Sequence, residues 1–148
     1  FQVRPAGGQR TLMATSALPF ADTNVLLYLI SRDAAKARRA EKLLSARIAI
    51  SVQVLNEFAS VARRKHSLDW TELLEILAGI RHFAELQPLT LDTHLHGLAL
   101  AERYGFSLYD AMIAAAALQA GCDTLLSEDF QAGQVIDGRL KIVNPFAH

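Results

Sequence analysis

Phe20-Ala-Asp-Thr-Asn-Val-Leu-Leu-Tyr28 is the stretch whose reading decides the fold. The short apolar run Leu18 to Ala21 reads as a strand that ends on Asp-Thr-Asn, after which Val25, Leu26, Leu29 and Ile30 recur at helical spacing. A strand passing into a helix across a polar tripeptide opens an alternating strand and helix chain.

The rest of the chain keeps that alternation. Asp33 is a good N-cap for a helix through about Ala46, with Ala37, Ala40, Leu43 and Leu44 on one face, and Ile48 to Ile50 is a second strand. A helix from near Ser51 carries Val54, Leu55, Phe58, Val61 and Ala62 and closes in Arg63-Arg-Lys-His66, where cations suit the C-terminal dipole. Another spans Asp69 to about Phe83. Leu86 to Leu91, broken by Pro88, reads as a short strand, and a helix from about Asp92 to Tyr104 stops at Gly105. Ser107 to Ala120 is a helix closed by Gly121, Thr124 to Leu126 a strand, and Lys141 to Val143 the last strand. The order predicts a three-layer α/β/α domain with a mostly parallel central sheet and right-handed crossovers.

With 148 residues and 51% apolar content, the chain can bury one substantial core and has no room for a second sizeable domain. Residues 17–148 are expected to form that domain. Phe1 to Ser16 lacks the apolar centre of a signal peptide and carries Gly7-Gly8 beside Arg4 and Arg10, which suggests a flexible extension or an expression remnant. No apolar run approaches the roughly 20 residues of a membrane span. The single cysteine, Cys122, has no internal disulfide partner, and a reducing cytoplasm is the expected location. Glycine-rich phosphate loops and Cys/His zinc spacing are both lacking, and His94 and His96, two apart on a helix, point in different directions.

Four acids stand where the strands end or in helices flanking the same edge: Asp22, Glu57, Asp110 and Asp129. Each has an ordinary explanation. Asp22 can cap the helix that follows it, Asp110 stands three residues after Ser107 at capping-box spacing, and Asp129 lies in a turn. Glu57, between Leu55 and Phe58 on an apolar face, needs a partner, either a metal ion or an arginine such as Arg63 or Arg64. Their joint placement at one sheet edge is what points to a hard divalent cation and metal-assisted phosphodiester chemistry.

The formal net charge of zero hides an asymmetry. Between Arg32 and Lys65 nine basic residues stand against three acidic ones, and from His66 onward four basic residues face eleven acidic ones. Arg38, Arg39, Arg63, Arg64 and Lys65 are candidate contacts for a phosphate backbone, although the first two also suit the solvated face of an amphipathic helix. Tyr28, Trp70 and Tyr109 are flanked by apolar residues and read as core or interface before base-stacking groups.

Taken together, Phe-Ala-Asp-Thr-Asn-Val-Leu-Leu-Tyr, Leu-Asn-Glu-Phe, Leu-Tyr-Asp-Ala-Met-Ile-Ala-Ala-Ala, Leu-Leu-Ser-Glu-Asp-Phe and the closing Ile-Val-Asn-Pro-Phe resemble the PIN-domain family, specifically the VapC-type toxins of bacterial toxin–antitoxin pairs. The likeness covers about Leu18 to Phe146. It implies an endoribonuclease using Mg²⁺ or Mn²⁺, with Asp22, Glu57, Asp110 and Asp129 as an acidic quartet and Asn24 and Ser127 as supporting groups. Ser127 stands where the family usually has Thr, and the hydroxyl is kept. The resemblance also implies a protein antitoxin, and the high apolar content adds a homodimer.

Four carboxylates in one pocket repel one another and call for cations or protons. Asp22 and Asp110 are the expected direct ligands, with Glu57 and Asp129 acting through water or on a second ion. Two other classes stay open: a metal-free binding module of the same fold, and an aspartyl-nucleophile phosphatase. The second would usually carry Asp-x-Asp where this chain has Asp22-Thr-Asn24.

Overall fold

A computed structural model describes residues 17–147; the expected extension Phe1 to Ser16 lies outside them. The chain alternates as expected: β1 (Phe20–Ala21), α1 (Thr23–Leu27), a 3-10 turn (Tyr28–Ile30), α2 (Ala34–Ser45), β2 (Ile48–Ser51), α3 (Val52–Lys65), α4 (Trp70–Phe83), β3 (Ala84–Gln87), α5 (Leu91–Tyr104), α6 (Leu108–Gln119), β4 (Thr124–Leu126), β5 (Val135–Ile136) and β6 (Leu140–Val143). The sheet order is β3-β2-β1-β4-β6-β5, parallel except for the β5–β6 hairpin.

That order fixes where a site can form. From β1 the chain steps outward to β2 and β3, then returns across the sheet to place β4 on the other side of β1. Right-handed crossovers put α1 to α4 on one face and α5 and α6 on the other, which gives three layers. Between β1 and β4 the strand order reverses. Loops leaving the carboxyl ends of two such strands diverge to opposite faces and leave a crevice, the usual ligand position in an open α/β sheet.

Local chemistry explains the elements. Asp33, Ser51, Asp69, Thr90 and Ser107 each cap the helix that follows them, and Asp69 with Glu72 closes a reciprocal capping box. Gly105 ends α5 at φ +73°, a left-handed conformation open to glycine at no steric cost. From Ala111 to Leu118 every residue of α6 is buried, because the helix lies between the sheet and α5. Phe20, Ile48, Ile50 and Leu125 supply the sheet's side of the core.

Two expectations shift. β3 starts at Ala84, directly from the end of α4, and stops at Gln87, because Pro88 has no N–H to continue the ladder. α5 accordingly begins one residue before Asp92, capped by Thr90. The antiparallel β5, turned onto β6 by Asp137 and Gly138 at φ +53° and +67°, is an addition to the expected strands.

Candidate functional site

Asp22 leaves β1 and Ser127 leaves β4 at the same level of the sheet. The Asp22 N–H donates to Leu126 O at 2.9 Å, and the Ser127 N–H to Val143 O at 3.0 Å. Asp22 is the N-cap of α1, one of the two roles the sequence allowed, and its carboxylate also faces the β4 loop. Its Oδ1 accepts the Thr23 N–H at 2.7 Å, while Oδ2 accepts the Ser127 hydroxyl at 2.8 Å and the Asn24 amide at 3.2 Å. Only 4% of Asp22 is exposed.

Asn24 and Ser127 hold the β4 loop against the β1 loop. Asn24 Oδ1 accepts the Glu128 N–H at 3.2 Å, and the Ser127 hydroxyl accepts the Asp129 N–H at 3.0 Å. Asp129 is therefore oriented through its backbone while its carboxylate stays exposed. At the start of α6, Ser107 accepts the Asp110 N–H at 3.2 Å, yet Asp110 does not return the second half of a capping box. Its half-buried carboxylate is acted on by the charges of Asp129 and Glu57.

Glu57 finds neither of the arginines considered for it. Its Oε1 accepts the Thr23 hydroxyl at 2.7 Å and its Oε2 the Gln53 amide at 3.2 Å. Gln53 also donates to Tyr109 O at 3.0 Å, joining α3 to α6 beside Asp110. Arg63 instead donates to Leu68 O and lies 4.4 Å from the Trp70 ring centre, and Arg64 donates to Ser60.

The acids act on one another through their charges. Burial pushes the Asp22 carboxyl up from 3.8 to about 6; hydrogen bonds from Ser127 and Thr23 oppose this, and the charges of Asp110 and Asp129 add to it. Asp110 is also raised, first by burial, with Ser107 opposing and the charges of Asp129 and Glu57 adding. Among the described residues no three His, Cys, Asp or Glu side chains close into a cage around a metal ion. Mg²⁺ does not require one: it keeps several waters and is commonly held by one or two carboxylates. Carboxylate oxygens are donors of the right hardness.

Further residues take part in the site. Gln53 stands four residues before Glu57, a spacing that places both on one helix face, so it was legible; Thr23 was not, because its partner is 34 residues away. A second layer joins Tyr28, whose hydroxyl donates to Glu128 Oε1 at 2.7 Å, and Lys36, whose Nζ donates to the Tyr28 oxygen at 3.1 Å and lies 3.5 Å from Glu128 Oε2. Tyr28 is partly buried, but Trp70 and Tyr109, read as core or interface, are 60% and 66% exposed. Both stand in the first turns of their helices.

Comparison with solved structures finds the same fold. A toxin–antitoxin complex from Klebsiella pneumoniae is similar at 24% identity and TM-score 0.65, covering 86% of this chain and 98% of that one. VapC20 of Mycobacterium tuberculosis, a sarcin–ricin loop cleaving toxin, is similar at 21% and 0.63, covering 81% and 98%. DNA-bound VapBC from Salmonella typhimurium is similar at 24% and 0.63, covering 84% and 96%. No curated protein matches the sequence. The PIN domain profile matches residues 20–135, the span from β1 through the crevice loops into β5, and the chain belongs to the PIN-domain family.

Proposed function

We propose that this protein is a divalent-cation-dependent endoribonuclease, the VapC-type toxin of a type II toxin–antitoxin pair. The observation that carries the reading is the buried Asp22 carboxylate at the β1/β4 switch point, held by three donors and acted on by the charges of Asp110 and Asp129. Supporting it, solved structures of this fold include toxin–antitoxin complexes and a toxin that cleaves the sarcin–ricin loop.

In this reading Asp22 and Asp110 hold Mg²⁺ or Mn²⁺, and Glu57 and Asp129 act through water or on a second ion. The bound cation supplies Lewis acidity that lowers the pKa of a water and offsets charge on the scissile phosphate. The chain's own part is positional. Ser127 and Asn24 fix which Asp22 lone pairs stay free, Thr23 and Gln53 fix Glu57, and burial raises the cost of an uncompensated Asp22 charge until a cation arrives. Water is the nucleophile, so the products carry a 5′-phosphate and a 3′-hydroxyl.

A small antitoxin would enter the acidic crevice with a basic side chain or lay a hydrophobic helix across it. Leu91, Leu95 and Leu98 form an exposed stripe on α5 that supports a homodimer. No helix among the described residues is long and apolar enough to cross a membrane.

The test is cleavage of structured and single-stranded RNAs with Mg²⁺, Mn²⁺ or EDTA, beside Asp22→Asn and Asp110→Asn. Cation-dependent cutting lost in both variants is the expected result. Cutting that survives EDTA, products ending in 2′,3′-cyclic phosphate, or no cutting by a protein that still binds a partner would overturn the reading, the last in favour of a binding module.

A further inference from the structure

The basic residues of this chain fall into two groups with different relations to the crevice. Arg63, Arg64 and Lys65 end α3, and Lys65 is eight residues beyond Glu57, about 12 Å along the helix axis. Arg63 is occupied by Leu68 O and the Trp70 ring. α2 is tied to the crevice directly: Lys36 reaches Glu128, which stands between Ser127 and Asp129.

Two open cavities of about 480 and 670 Å³ run along the exposed side of α2 and share Ala35 and Arg39. Lys36, Phe146 and the Pro145–Ala147 turn line the first; Arg38 and Lys42 line the second. Arg39 donates its Nε to Pro145 O at 3.1 Å, a neutral partner, and makes no ion pair among the described residues. Arg38 and Lys42 make no ion pair among the described residues. Asp33 and Glu41 are the acids in these walls, and Asp33 is spent on capping α2. The Phe146 ring packs edge-on against Tyr28 at 4.6 Å and is only partly buried, which leaves aromatic surface in the wall.

We infer that this α2 groove carries a single-stranded segment of the RNA into the acidic crevice, with Arg38, Arg39 and Lys42 taking its phosphates and Phe146 offering a face to a base. The inference rests on the ribonuclease reading and adds the route by which substrate arrives. Cations paired with phosphates give a salt-dependent affinity, and an aromatic wall accepts bases without sequence preference. Glu128 and Lys36, neutralised against each other, form the junction at which the basic track meets the acidic site.

The test is fluorescence anisotropy of a labelled oligouridylate of about ten nucleotides, within the site sizes that single-strand grooves cover, measured in EDTA so that no cutting is involved. The paired variant Arg38→Gln/Lys42→Gln should weaken binding about tenfold and flatten the slope of log affinity against log salt by roughly 1.4, two phosphate contacts at 0.7 each. Arg64→Gln/Lys65→Gln should change neither. Phe146→Ala should weaken binding about fivefold at unchanged salt slope, with recovery in Phe146→Trp. Equal thermal midpoints establish that each variant is folded. No binding by the wild type, an unchanged α2 variant, or a loss that follows the α3 residues overturns the inference. So does an α2 variant that binds RNA normally but no longer holds a protein antitoxin. Binding in EDTA and cleavage with cations are read separately, so failure of the route and failure of the nuclease reading are distinguishable.

Discussion

The Ser127 hydroxyl donates to Asp22 Oδ2 at 2.8 Å while accepting the Asp129 N–H at 3.0 Å, so one buried oxygen sets both the first and the last acid of the crevice. Ser127→Ala is expected to cost about 2 kcal/mol, since it removes a donor from a buried carboxylate and strands an N–H in the loop. It should also move the Asp22 carboxyl further up, because the lost hydrogen bond was lowering it. Urea unfolding and an NMR titration of the Asp22 carboxyl read the two effects. A variant as stable as wild type, with Asp22 titrating where it did, would show that the bond has no energetic weight.

Asp22 makes the cation-free protein acid-favouring over a defined window. Its carboxyl titrates near 6 in the fold against an ordinary 3.8, so the unfolded chain gives up the proton first. The stability this proton confers is complete below about 3.8 and is lost as pH rises through about 6. About 2 pKa units correspond to on the order of 3 kcal/mol. Asp22→Asn should therefore raise the thermal midpoint in EDTA at pH 8 and do little at pH 4. Saturating Mg²⁺ should stabilise wild type at pH 8 by about 2 to 3 kcal/mol if present at about 100 times its Kd, and should leave Asp22→Asn much less affected. A wild-type midpoint indifferent to Mg²⁺ at every pH would count against a cation site.

How much of this was legible follows from distance along the chain. The strand and helix order was readable because apolar spacing and caps such as Asp33 and Gly105 are local signals. β3 lies earlier than the apolar run Leu86 to Leu91 suggests, because that run continues past Pro88, where the missing N–H ends the ladder. β5 is two residues long, too short for periodicity to register, although the Asp137-Gly138 turn beside it carried a hairpin signal. In the crevice the four acids could be picked out from their places at strand and helix ends. Thr23, whose hydroxyl holds Glu57, could not be, because the two are 34 residues apart; Tyr28 and Glu128 behind the crevice are 100 apart, and only the return of the chain to β4 brings them together.

Asp137 works in the opposite sense to Asp22. Burial alone would raise its carboxyl, but hydrogen bonds from Arg103 and Tyr104 and the charges of Arg103 and His96 outweigh that and hold it below the ordinary value. The stability it gives is present above the unfolded pKa and fades as pH falls through the lower folded one. Asp137→Asn keeps a residue that tolerates the left-handed turn and removes only the charge. It should lower the midpoint at pH 7 by about 2–4 °C, the change ~1 kcal/mol gives in a domain of this size, and converge with wild type once pH has fallen through the lowered folded pKa. Parallel curves for the two proteins across that range would contradict the assignment.

Gly97 of α5 packs tightly against Met112 of α6. A Cβ there would lie 2.6 Å from Met112 Sδ, 2.8 Å from its Cε and 3.4 Å from its Cα. Two effects compete in Gly97→Ala: alanine favours a helix interior by about 1 kcal/mol, and overpacking costs about 1–3 kcal/mol. The two nearest atoms are the tip of a flexible side chain, but Met112 is 6% exposed and its backbone is also close, so it has little room to withdraw. The clash should win, leaving a net loss of about 1 kcal/mol. In a Met112→Ala background the tip is gone and the propensity term remains, so the same substitution should stabilise by up to about 1 kcal/mol. That change of sign in a double-mutant cycle is the decisive readout. Equal effects in both backgrounds would mean that the helices part freely at this point and that Gly97 is not what sets their separation.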